Sequence, residues 1–175
     1  MSDEIEIHAV RESEYVAAGE ATAGAYREFA SPSSVNWEPY LARIADVADR
    51  AQRTTVLVAT VNGAIAGSAT LELDGRTNPE WTEPLAADEA HLRMLGVDPA
   101  YRGRGVARHL VVACLEVARA HGKRVLTLET TAVMTAAQQL YASMGFDSTG
   151  ERLTPDGTRL LEYSRSVDAP LQPTR

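Results

Sequence analysis

The stretch HLRMLGVDPAYRGRGVARHL, residues 91–110, decides the fold. It opens on an apolar run ending at Val97 and passes Pro99. It then reaches Gly103 and Gly105, set among Arg102, Arg104 and Arg108. Ala90 to Val97 reads as a strand. From Gly105 to His121 the period changes: Ala107, Leu110, Val111, Cys114, Leu115 and Ala118 recur at i, i+3, i+4 spacing, one face of a helix. Gly122 suits its C-cap. Val125 to Thr130 is again β-branched and apolar. The core of the chain is therefore strand, glycine turn, helix, strand. A helix N-terminus carries unpaired N–H groups and the positive end of the helix dipole, and a glycine turn before it lets a ligand approach the backbone. Arg102 and Arg104 add charge. A phosphate or pyrophosphate is the natural guest.

Further elements extend outward on both sides. Ile5, Ile7 and Ala9 alternate with polar residues, as in an opening strand. Ser13 fits the cap of a helix to about Phe29, which Ser31-Pro32-Ser33-Ser34 breaks. A second helix is expected from Trp37 to Ala51, with Tyr40, Leu41, Ile44, Val47 and Ala48 on one face. Thr55–Val61 and Ala64–Leu73 flank Asn62-Gly63, a hairpin turn. After the core unit, Thr135–Ser143 reads as a short helix closed by Gly145. Asp147–Glu151 and Arg159–Arg165 read as strands joined across Pro155-Asp156-Gly157. The order β, α, α, β, β, β, α, β, α, β, β implies a mixed, mostly antiparallel sheet of six or seven strands with about four helices on its faces. It forms a single α/β (α+β) domain over 1–167, followed by a loose tail at 168–175.

Composition narrows the function. The 175 residues, 45% hydrophobic and 23% charged, are those of a soluble globular domain. A net charge of −7 gives no basic field for nucleic acid. Cys114 is the single cysteine, and His8, His109 and His121 have no ligand spacing, so neither disulfides nor a metal is expected. No apolar run approaches the roughly 18 residues of a membrane span. The N-terminus is acidic with no apolar segment behind it, so a cytoplasmic protein is expected.

Two phosphate-binding motifs can be compared with the turn. No G-x-x-x-x-G-K-[S/T] string occurs. Gly103-x-Gly105 begins the dinucleotide fingerprint, and Glu129 falls about where a ribose-binding acid belongs, but bulky Arg108 occupies the third glycine position. A nucleotide-cofactor, NAD-type oxidoreductase is the alternative on that basis.

Read from Arg102, the turn is Arg102-x-x-Gly105-x-Ala107. With HLRMLGVDPAYRGRGVA before and within it, and AAQQLYASMGF after it, it resembles the GNAT N-acetyltransferase superfamily. The likeness covers residues 5–165 in element order and is strongest over 89–146. It implies acetyl-CoA as acetyl donor. Backbone N–H groups from Arg102, Gly103, Arg104, Gly105, Val106 and Ala107 would hold the pyrophosphate. Leu95, Gly96 and Val97 would pair with the pantetheine arm where the fourth strand splays from the fifth. A backbone N–H there would polarise the thioester carbonyl. Tyr141 matches the tyrosine near the thioester sulfur, and a phenol can donate to a leaving thiolate.

The proton on the acceptor amine is a separate matter. An amine of pKa about 10.4 is neutral in fewer than about one molecule in a thousand at pH 7. The position of the family's frequent glutamate base is His91 here, with Glu89 two residues earlier on the same face. An imidazole of ordinary pKa, about 6.5, suits a base. Met134 stands where the family often has Asn. The resemblance assigns acceptor binding to the two N-terminal helices and the loop before the fourth strand. Tyr26, Trp37 and Tyr40 lie in that region, with Glu129 a further acceptor contact. Asp74, Glu80, Glu83, Asp88 and Glu89 against Arg76 suggest an acidic rim that attracts a cationic amine, on a small molecule or a peptide end. A non-catalytic acyl-CoA sensor on the same fold is a further alternative. Homodimers are common in the family.

Overall fold

A computed structural model describes residues 3–30, 37–77 and 81–171. The breaker Ser31-Pro32-Ser33-Ser34, Glu80 of the acidic loop and residues 172–175 of the expected tail lie outside the described residues. The strands run β1 (Ile5–Ala9), β2 (Thr55–Val61), β3 (Ala64–Glu72), β4 (Glu89–Val97), β5 (Val125–Thr131), β6 (Asp147–Leu153) and β7 (Arg159–Ser166). The helices are α1 (Tyr15–Arg27), α2 (Trp37–Ala45), α3 (Val47–Ala51), α4 (Val106–Ala120) and α5 (Thr135–Ser143). The sheet order is β1-β2-β3-β4-β5-β7-β6, a mixed α/β arrangement. The chain forms two compact units, residues 1–71 with 94–114 and residues 72–93 with 115–175.

In the first unit β1, β2 and β3 are antiparallel neighbours, and β2 is buried along almost its whole length. Asn62 (φ 50°) and Gly63 (φ 82°) take the left-handed conformations that a two-residue hairpin turn needs. Helix α1 is built from small residues because its neighbours come close. A Cβ on Gly19 would collide with the Ala45 carbonyl of α2, and one on Gly96 of β4 would meet Thr22 atoms at 2.9–3.1 Å. Thr22 donates to Ala18 O and lies 2.5 Å from Ser68 Oγ.

Two helix boundaries differ from the sequence reading. The first helix starts at Tyr15 after a 3-10 turn, Glu12–Glu14, where the Glu14 carboxylate accepts from Arg11 N at 2.8 Å; Ser13 is not the cap. The expected Trp37–Ala51 helix is broken at Asp46, whose carboxylate caps α3 by accepting from Asp49 N at 3.0 Å. The break rotates the buried face. Leu41, Ile44 and Val47 stay inside, Ala48 faces solvent, and Arg50 turns inward. Arg50 donates to Thr70 Oγ1 (3.1 Å) and to the Arg43 (2.5 Å) and Asp46 (3.2 Å) carbonyls, satisfying the end of α2.

In the second unit β5 and β7 pair antiparallel, as do β6 and β7, and β5 pairs parallel with the first part of β4. The first residues of the expected tail are tied down. Arg119 Nε donates to Asp168 Oδ1 at 3.1 Å, and Arg165 donates to Ala169 O.

Met134, the N-cap of helix α5, makes no side-chain cap bond, at φ −85°, ψ 63°. Asp46 caps α3 from nearly the same backbone, φ −80°, ψ 73°. Met134→Asn is therefore expected to stabilise the protein by about 1 kcal/mol, read as a rise in the urea midpoint.

Candidate active site

The strand–turn–helix core folds as its residues dictate. Asp98 N donates to Ala66 O and its carboxylate accepts from Ala100 N, both at 2.8 Å, which fixes the chain as it leaves β4. A 3-10 turn, Pro99–Tyr101, follows. Gly103 (φ 74°) and Gly105 (φ 83°) both take left-handed backbone. A Cβ on Gly103 would meet nothing within 4 Å, so the space in front of it is open. Val106 and Leu110, both buried, anchor the first turn of α4. His109 N bonds to Gly105 O at 3.1 Å, so the amides just before it precede the helical ladder.

The two flanking guanidiniums are engaged with carboxylates at the surface. Arg102 pairs with Glu28 at 2.7 Å, and Arg104 with Asp3 at 3.1 Å beside the Tyr101 ring. Such exposed pairs contribute roughly 0–1 kcal/mol, so an anion can exchange with them. Open glycine backbone, helix amides and exposed cations fit a pyrophosphate.

Strand β4 bends at Met94, whose φ of 51° is left-handed for a non-glycine residue. Such a conformation costs about 1–2 kcal/mol. The Met94 side chain is buried with Ala23, Leu41 and Ile44. The parallel register with β5 includes Glu89↔Val125 to Leu92↔Leu128. Leu95, Gly96 and Val97 follow the bend.

In the second unit Tyr141 is buried on α5. Its ring packs against Phe146 (centroids 5.6 Å apart) and Tyr163 (6.0 Å). Gly145 (φ 78°) ends the helix as expected.

The most elaborate chemistry lies on one face of the second unit's sheet. Glu89, His91 and Arg93 alternate along β4; Thr127 and Glu129 alternate along β5, with Thr127 in register with His91. Three ion pairs surround His91: Arg93–Glu72 (3.2 Å), Arg76–Glu89 (3.2 Å) and Arg152–Glu129 (2.6 Å). Trp81 stands edge-to-face on His91 with centroids 5.9 Å apart. The Arg76 and Arg152 guanidiniums lie over the Trp81 ring at 4.0 and 4.2 Å.

His91 is 4% exposed. Burial, and then Arg76, Arg93 and Arg152, push its pKa down to about 3. The expectation of an ordinary imidazole pKa does not hold: the site keeps the ring neutral and resists the imidazolium a base must become. The unfolded chain takes up this proton near pH 6.5 and the folded chain only near pH 3, so stability falls as pH drops through that window. From about pH 7 to about pH 5 wild type should lose about 2 kcal/mol more than His91→Gln, measured by urea unfolding.

The residues expected to bind the acceptor fall into two groups. Tyr26 and Trp37, both half-buried, flank Tyr40 edge-on at 6.3 and 5.8 Å and pack over Leu41, Ile44 and Met94 in the first unit. Glu129 belongs to the second unit's polar face. Arg152 grips it at 2.6 and 3.1 Å, so it is not a free acid. The acidic rim is likewise changed. Asp74, Glu83 and Asp88 are exposed, but Glu89 is bonded to Arg76 and Thr127, and Arg93 and Arg152 add cations that the loop sequence does not contain.

Trp81, Thr127, Arg93, Arg152 and Glu72 were not singled out from sequence. The period-2 spacing of Glu89, His91 and Arg93 was the available signal for Arg93. Cys114 is fully buried and its thiol pKa is pushed up to about 12, a small hydrophobe. Among the described residues no His, Cys, Asp or Glu cluster fits a metal, and no helix is long and apolar enough to cross a membrane.

Residues 22–146 match the Acetyltransferase (GNAT) family. The chain belongs to this family. It is 41% identical over 76 residues to the [ribosomal protein bS18]-alanine N-acetyltransferase of Haemophilus ducreyi, covering 41% of this chain and 52% of that protein. It is 38% identical over 90 residues to N-alpha-acetyltransferase RimI of Mycobacterium tuberculosis, covering 51% of this chain and 50% of that protein. The chain thus matches about half the length of each. Two solved structures share the fold, each at 22% identity and a TM-score of 0.67. One is the ribosomal-protein-S18-alanine N-acetyltransferase from Escherichia coli (98% of this chain, 99% of that one). The other is yncA from Salmonella typhimurium with its cofactor acetyl-CoA (98% of each). The oxidoreductase alternative is not favoured.

Proposed function

We propose that this protein moves the acetyl group of acetyl-CoA to a primary amine, by direct attack of the amine in a ternary complex. The observation that carries this reading is the turn at Arg102–Ala107, with left-handed glycines, open space at Gly103 and two exposed guanidiniums at the start of α4. Its backbone N–H groups take the pyrophosphate. Backbone from Leu95 to Val97, beyond the Met94 bend, takes the pantetheine arm and polarises the thioester carbonyl. Acetyl-CoA supplies the activated acyl carbon.

The Tyr141 hydroxyl donates to the thiolate as it leaves. The ammonium form of the acceptor loses its proton to water. His91 resists protonation, and Glu89 is committed to Arg76 and Thr127. One domain over 1–167 and a cytoplasmic location fit this reading.

The acceptor is a peptide end or a small amine. The Haemophilus ducreyi relative, an alanine N-acetyltransferase of ribosomal protein bS18, supports a peptide end. Tyr26 and Trp37 present an aromatic surface in the first unit, and Glu129 with Arg152 a polar one in the second. The test is thiol release from acetyl-CoA with a panel of peptides bearing free N-termini, polyamines and neutral small amines. Turnover with at least one primary amine is expected. Binding of acetyl-CoA without turnover on any amine would make the protein an acyl-CoA sensor.

A further inference from the structure

His91 is held by a short relay, and the directions of its hydrogen bonds can be deduced. His91 Nδ1 lies 2.8 Å from Thr127 Oγ1. The same Oγ1 lies 2.6 Å from Glu89 Oε1 and 3.4 Å from Ala90 O. A threonine hydroxyl has one proton, and an ionised carboxylate has none. Glu89 accepts on both oxygens, from Arg76 Nη2 at 3.2 Å on Oε1 and from Ala86 N at 3.3 Å on Oε2, so it acts as a pure acceptor. At 2.6 Å the hydroxyl therefore donates to Glu89, and Oγ1 has only lone pairs left for His91. The ring must donate from Nδ1. The tautomer is fixed with the proton on Nδ1 and the lone pair on Nε2.

We infer that Glu89 and Thr127 are positioning residues that make His91 Nε2 a fixed hydrogen-bond acceptor for an N–H of the acceptor amine. This rests on the transferase reading above. The groups facing the ring are Arg76, Arg93, Arg152, Glu89, Thr127 and Trp81. Burial, and then the arginines, keep the ring neutral, and neutrality is what an acceptor nitrogen needs. Thr127 is β-branched and sits in register with His91 on the neighbouring strand, so its hydroxyl has few alternative directions. The role is to hold and orient the amine, and the proton is not stored on the ring.

Long-range proton–nitrogen spectra of protein labelled with 15N in its imidazoles test this, with His91 assigned by its loss in His91→Gln. The expected result is a protonated-type Nδ1 and an unprotonated-type Nε2, unchanged from about pH 7 to about pH 5. Thr127→Val should blur the preference, and Thr127→Ser should keep it. A proton on Nε2, or spectra unmoved in Thr127→Val, would overturn the inference. In turnover assays with the panel amine that reacts fastest, Thr127→Val should raise the amine KM about tenfold, the loss of one oriented hydrogen bond, with acetyl-CoA affinity unchanged. Thr127→Ser should restore it. An unchanged amine KM would also overturn the inference. A wild-type protein that acetylates no amine counts against the transferase reading instead, and the tautomer spectra still decide the relay.

Discussion

Tyr141→Phe is expected to lower kcat about a hundredfold while acetyl-CoA affinity stays near that of wild type. General acid catalysis contributes roughly 10²- to 10⁴-fold. Phenylalanine keeps the ring that packs against Phe146 and Tyr163, so the fold and Tm should barely change. The substitution removes the proposed proton donor and little else. Rapid-mixing assays of thiol release, with calorimetry for acetyl-CoA, separate the two quantities. If kcat is unchanged, the thiolate leaves without help from this residue, and water carries the proton. If affinity falls in step with rate, Tyr141 binds the cofactor in the ground state and has no special role in the transition state.

Gly105→Val should abolish most acetyl-CoA binding, with Kd rising about a hundredfold. Gly105 sits at φ 83°, where a β-branched residue is strained by about 1–3 kcal/mol. Relief of that strain must rotate the turn whose amides are proposed to hold the pyrophosphate. A strain control lies elsewhere in the chain. Gly122 has φ 72° at the end of α4, and a Cβ there would meet nothing within 4 Å. Gly122→Val should destabilise to a similar degree and leave acetyl-CoA affinity intact. Equal loss of affinity in both variants would show that global strain, and not the turn, governs binding.

Much of the fold was legible because it follows from local chemistry. The Asn62-Gly63 hairpin, Gly122 and Gly145 after their helices, and the change of period across Gly103–Gly105 are backbone demands written in the residues that meet them. The broken second helix was less legible. Asp46 is an ordinary exposed helical residue until its side chain caps Asp49 N, and the break turns Arg50 inward and Ala48 outward. The left-handed glycine turn at Gly103–Gly105 was readable for the same local reason as the hairpin.

The polar face around His91 was not, because it is assembled from five distant segments. Glu72, Arg76 with Trp81, β4, β5 and Arg152 of β6 meet only through tertiary structure. A histidine read alone has an ordinary pKa. Its depressed value depends on burial and on three arginines, two of which lie far from it in the chain. The acidic loop misled for the same reason: its charges were counted without the cations that other strands bring to them.

The most direct measurement is a calorimetric titration of the wild-type protein with acetyl-CoA, CoA and NADH in parallel. Saturable binding of acetyl-CoA and CoA, absent for NADH and lost in Gly105→Val, is the expected result. Binding of NADH alone, or acetyl-CoA binding that Gly105→Val leaves unchanged, would contradict the assignment of the Arg102–Ala107 turn as the pyrophosphate site.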